Sequence, residues 1–162
     1  MIAEEYISIK ETEIESLSEK ELENLLDRFH EEQSFLFSFL VIMGEENLRD
    51  EEAELLLDEG LFIWYLLQAE YELDEVSPDE LESLREENIE VLEKMEGEDH
   101  EENKLDFSEL LGSYNEPELL KYLIEAVFER EQEVVKKSAT RVSLFLYLKV
   151  ILDALLQSAN RA

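Results

Sequence analysis

Residues 134–162 read VVKKSATRVSLFLYLKVILDALLQSANRA. Of the 44 acidic residues in the chain only Asp153 falls here, against Lys136, Lys137, Arg141, Lys149 and Arg161. The stretch is also one of the most apolar parts of the sequence, with Leu144 to Leu148 followed by Val150, Ile151 and Leu152. From Leu144 to Leu156 the apolar positions run nearly all the way round a helix, the pattern of a buried element and not of an amphipathic one. Left exposed, a patch of that size would be an aggregation liability. The expected place for this helix is therefore the centre of the molecule, more buried than any other helix. Acidic amphipathic helices should flank it and meet Lys136, Lys137, Arg141 and Lys149 around its rim.

The remainder supplies those helices. At 162 residues and 44% apolar, the chain is long enough to bury one sizeable core and is not compositionally disordered. Glutamate outnumbers aspartate 36 to 8, with only four glycines and two prolines, and that balance favours helix. Net charge is −30 and the isoelectric point near 4.1. Such a surface repels nucleic-acid phosphates and anionic membrane faces, and attracts basic proteins and divalent cations. There is no cysteine, which suits a reducing compartment and removes disulfides, thiolate metal sites and cysteine nucleophiles. The first residues lack the basic and apolar regions of a signal peptide, and the longest apolar runs fall short of the roughly 20 residues of a membrane span. A cytoplasmic protein is expected.

In order along the chain, residues 1–16 alternate weakly around Ile7 and Ile9 and predict an irregular or short helical arm. Ser18 and Glu21 form a capping-box signature, and a hydrophobic stripe then predicts one helix over 19–43, stopped by Gly44. A second helix is predicted over 48–71. Gly60 lies within it, at a cost of about 1 kcal/mol relative to alanine, which predicts the close passage of another backbone there. Ser77-Pro78-Asp79-Glu80 opens a third, over 78–96, and an acidic flexible loop is expected at 97–104. One or two helical turns are suggested near 106–112. Pro117 starts a helix over 117–133. Low-propensity Val134 to Thr140 should interrupt it before a last helix over 138–158. The predicted fold is a single all-α domain, an irregular bundle of about five helices around the C-terminal one.

Few chemistries survive this inventory. Gly44, Gly60, Gly97 and Gly112 stand singly, so no phosphate-cradling loop is present, and no G-x-S-x-G elbow exists. Helical-bundle metal sites use Glu-x-x-His pairs plus further carboxylates, and Asp27-x-x-His30 is the one approximate match. The acidic run 96–103 fails the calcium-loop pattern, with Lys104 at the position of the required glycine and Leu110 at that of the bidentate glutamate. Phe35, Phe39, Gly60, Trp64, Leu67, Phe145, Leu148 and Leu152 are the predicted core or interface positions. Three apolar helices in so small a domain leave little room to hide every face, which raises a homodimer.

The expected function is non-catalytic: a protein that acts by protein–protein interaction on a basic partner surface, as inhibitors, immunity proteins or acidic chaperones do. No cofactor, nucleic acid or membrane partner is expected. Two other readings stand beside it, a carboxylate metal or small-ligand site in the bundle, and a structural homodimer whose acidity serves only solubility or salt adaptation.

Overall fold

In the computed structural model, which describes residues 1–98, 106–130 and 133–161, Gln33 divides the helix predicted over 19–43 into two. Its backbone leaves the helical region (φ −134°, ψ 59°), and its side chain is buried. The amide accounts for the break. Its Nε2 donates to the carbonyl of Asp74 at 2.9 Å, and its Oε1 accepts from the amide of Val76 at 2.9 Å. Two backbone groups of the 71–77 connection are thereby satisfied in the interior, where an unpaired amide or carbonyl is costly.

The elements among the described residues are α1 (Glu4–Glu15), α2 (Glu19–Glu32), α3 (Ser34–Asn47), α4 (Asp50–Glu70), α5 (Pro78–Glu98), α6 (Ser108–Ser113), α7 (Pro117–Glu125) and α8 (Ser138–Arg161). A single π-helical turn over Ala126–Arg130 continues α7. No strand occurs among the described residues, so the all-α class is established, with eight α-helices where about five were expected. Of the acidic loop expected at 97–104, its first two residues close α5 and the rest lies outside the described residues.

Within residues 1–16, Glu4–Glu15 form a regular helix, as the helical form of the expected arm requires. Ile2 and Ile7 are buried, and the Ile2 amide donates to Glu116 at 2.8 Å, which fastens the segment to the start of α7. The Ser18 capping box is present in both directions, at 3.1 and 3.2 Å. Gly44 does not end its helix, which runs three residues further. A Cβ there would lie 2.9 Å from the Cβ of Ala53, so the glycine permits close approach of α4 to α3. At Gly60 the close neighbour is the side chain of Leu40, not a backbone: a Cβ would meet its Cδ1 at 2.5 Å.

The predicted break before α8 is present over residues 133–137. Two arginines hold it, Arg49 donating to the Val134 carbonyl at 2.9 Å and Arg141 to that of Val135 at 2.8 Å. Since 133–137 is not helical, Glu133 and Lys137 do not stand one helical turn apart. Beyond the break α8 occupies the centre, packed against α3, α4, α5, α7 and the π turn. By length and mean hydropathy (1.6) this helix could cross a membrane, yet 61% of that window is buried inside the bundle. Leu144, Phe145, Leu148, Val150, Ile151, Leu152 and Leu155 are all sealed from solvent. Phe145 is flanked by Phe107 and Phe128, with ring centres 5.0 and 5.9 Å away, and Trp64 packs on Phe29 at 5.1 Å.

Candidate functional site

Cations are scarce in this chain, and the fold uses several of them internally. Lys10 pairs with Glu13 at 2.9 Å, Arg49 with Glu52 at 3.2 Å, Arg130 with Glu11 at 3.1 Å and Lys149 with Asp153 at 2.7 Å. With 14 basic and 44 acidic residues, at least 30 carboxylates can have no cation of their own, whatever the arrangement. The rim expected around α8 is only partly of the predicted kind. Lys136 and Lys137 stand exposed, Arg141 turns to a backbone carbonyl, and Lys149 is drawn inside.

Two clusters of polar side chains result. The first is buried, at the contact of α5 with α8. Lys149 Nζ donates to both oxygens of Asp153, at 2.7 and 3.0 Å, and to Asn88 Oδ1 at 3.2 Å. Asn88 Nδ2 donates to Asp153 at 3.0 Å and to the Leu84 carbonyl at 2.9 Å. The Tyr114 hydroxyl donates to Asp153, and the lysine ammonium lies 4.7 Å from the centre of that tyrosine ring. Burial first, and the charge of Asp153 second, hold the Tyr114 phenol protonated far above the ordinary range. The four side chains satisfy one another, so this cluster is a structural lock with no group directed outward to a substrate.

The second cluster is open. On one side of α1 stand Glu4, Glu11, Ile14 and Glu15, and across from them Asp58, Glu59, Leu61 and Phe62 of α4 and Tyr122 of α7. They line two adjoining hollows of about 310 and 160 Å³ that share Glu11 and Tyr122. Helical spacing produces the α1 wall, since positions 4, 11 and 15 fall on one face. Leu22 of α2, 40% exposed, lines the larger hollow. At the junction Tyr122 donates to Glu59 at 2.7 Å, and the Arg130 guanidinium lies 4.6 Å from the tyrosine ring centre. Burial and the charge of Glu59 keep the Tyr122 phenol protonated well above its ordinary range. Asp58 has its carboxyl raised, by desolvation first and then by Glu54 one turn earlier on the same helix.

Asp27 and His30 are brought together by nothing beyond their spacing. Both are exposed on α2, and the imidazole stacks on Phe37 with ring centres 4.3 Å apart. Among the described residues no three potential ligands of the histidine or carboxylate type lie close enough to hold an ion. His100 falls outside the described residues. Of the predicted core or interface positions, Gly60, Trp64, Leu67, Phe145, Leu148 and Leu152 are buried, and Phe39 is partly buried, edge-on to Tyr147. Phe35 is different, 46% exposed on α3 one face away from the core.

Sequence reasoning did not reach Asn88, Tyr114, Asp58 or Tyr122. For the buried lock a signal existed: the one acid of the tail stands four residues beyond a lysine. For the open trough none did, because its walls come from four helices and only the fold aligns them. No protein-family model, curated protein or solved structure matches this chain.

Proposed function

We propose that the protein is a non-catalytic binding module whose partner is a protein with a basic surface, in an inhibitory, immunity or chaperone-like role. The observation that carries this reading is the surplus of carboxylates: acidic residues outnumber lysines and arginines 44 to 14. A basic partner would supply those cations, speed encounter by long-range attraction, and be released by salt. The acid-walled trough beside α1 gives the charge a shape. The lack of cysteine suits a reducing compartment such as the cytoplasm. The test is direct. Immobilised protein should retain a basic folded protein at low ionic strength and release it as salt is raised. Failure to retain any basic protein under those conditions would end this reading.

One observation favours a second reading, the homodimer. Phe35 and Ile42, 46% and 45% exposed, stand two helical turns apart on α3, and Ser34 to Gly44 carries no charge. A pair of molecules could meet there with the least repulsion. Light scattering at micromolar concentration decides it, with a dimeric mass expected if α3 is an interface and a monomeric mass removing the idea.

A further inference from the structure

We propose that two copies of this chain pair about a two-fold axis through the exposed stripe of α3, and that Arg85 of each copy bonds Glu46 of the other. This rests on the homodimer reading above and supplies its geometry. Phe35, Phe39 and Ile42 follow the i, i+4, i+7 spacing of a helix-pairing seam, and Glu46 continues the line four residues on. Among the described residues α3 is the one helix that exposes two large apolar side chains, Phe35 and Ile42. Two bodies of charge −30 repel most where carboxylates face carboxylates, and Ser34 to Gly44 holds none.

The second observation is a pair of opposite charges left open at the border of that stripe, where α3, α5 and α8 pack on one another. Tyr147 of α8 lies edge-on to Phe39, with ring centres 6.1 Å apart. Its phenol titrates above the ordinary range, by burial first. Arg85 of α5 pulls it down and Glu46 of α3 pushes it up, so both charges stand near that hydroxyl. Neither is in an ion pair among the described residues, and Arg85 Nε is buried with no hydrogen-bond partner. An unmet guanidinium nitrogen is costly, and here it persists in a chain with 44 acids, which points to a carboxylate from outside the chain. A two-fold axis supplies one twice: where Arg85 meets the partner's Glu46, Glu46 meets the partner's Arg85. A basic protein suits this border less, because Arg85 would face it. The stripe is about 20 Å long at 1.5 Å per residue, so the interface is small and a micromolar equilibrium is expected.

The test is the mass of the full chain by light scattering across the micromolar range. Salt is kept at about 0.15 M, where general repulsion is screened beyond about 8 Å. Glu46→Arg and Arg85→Glu each set like charges opposite one another at both contacts, and each should weaken the dimer at least about tenfold. Glu46→Arg makes the chain less negative, so a merely general charge effect would strengthen the dimer instead. Mixed in equal amounts, the two variants regain opposite charges at both contacts, and a heterodimer close to wild type in affinity should form. Thermal melting verifies folding, and the exposed Glu46 tests the contact by itself if Arg85→Glu does not fold. Phe35→Gln with Ile42→Gln should also leave monomers. A dimer that this apolar variant weakens but the charge reversals do not, or reversals that fail to recover on mixing, would overturn the exchange and leave the α3 homodimer standing. A wild type that is monomeric throughout, or a dimer indifferent to the apolar variant, would end both.

Discussion

Asp153, the single acid after position 133, closes on Lys149 one turn earlier on the same helix, at 2.7 Å and inside the bundle. On an exposed helix this order, lysine before acid, is the weaker one and is worth only a few tenths of a kcal/mol. Here burial changes the magnitude. Removing one member leaves a charge with little water and no counter-charge. Asp153→Asn should destabilise the protein by about 3 kcal/mol, as in other broken buried pairs. The double replacement Lys149→Met with Asp153→Leu should cost distinctly less than Asp153→Asn. Urea unfolding of the three proteins measures both, and equal costs would mean that the pair is not energetically coupled.

Deleting 138–162 should leave a chain that does not fold, because α8 carries the shared wall of α3, α4, α5 and α7. Circular dichroism and a urea titration would then show no cooperative transition. The milder Phe145→Ala should keep the fold and lose about 3–5 kcal/mol, the usual cost of truncating a sealed phenylalanine. A deletion that unfolds cooperatively would make α8 an attachment to a bundle that is complete without it.

Gly60 and Gly112 both lie in helices, and their alanine variants should differ in sign. In each case alanine gains about 1 kcal/mol of helix propensity. At Gly112 the new methyl meets nothing within 4 Å beyond its own stretch of helix, so the gain remains and the melting temperature rises. At Gly60 it would stand 2.5 Å from the Cδ1 of Leu40, a side chain 1% exposed that would have to shift within the core. Overpacking costs about 1–3 kcal/mol, so Gly60→Ala should lower the melting temperature.

Asp58 sets an acid-side test. Its carboxyl titrates above the ordinary aspartate range, so its charged form is the disfavoured one in the fold. The sign is fixed by linkage. Stability associated with this group is complete below the unfolded value, about 3.9, and is lost as pH rises through the raised folded value. Asp58→Asn should therefore melt higher than wild type at pH 7, and the two should converge below about pH 3.5. Thermal melts across that range check it, and an advantage for the variant at pH 3 as large as at pH 7 would assign the effect to something other than this ionisation.

The parts of the fold that were legible in the sequence are those fixed by neighbours in the chain. Ser18 with Glu21 and Ser77 with Glu80 announced helix starts, and both hydrogen bonds are present, at 3.1 and 3.2 Å. The apolar density of 144–156 announced the central helix, and Val134 to Thr140 the break before it. What escaped depends on distant partners. Gln33 interrupts a helix because of backbone groups 41 and 43 residues ahead. The weak pattern around Ile7 becomes a helix because the core and Glu116 hold its start. The trough escaped for the same reason. Glu11 and Arg130 are 119 residues apart, and nothing in either neighbourhood points to the other.

The Asp74 carbonyl accepts hydrogen bonds from both Gln33 and Ser158, and Ser158 lies on α8. One oxygen thus joins the early helices, the 71–77 connection and the helix that the ribosome makes after all the others. During synthesis that junction cannot form until α8 has emerged, and until then the faces of α3, α4, α5 and α7 that pack on α8 stay uncovered. A chain that has not yet made α8 is therefore expected to stay incompletely packed, and its dense negative charge would repel neighbouring copies during that interval.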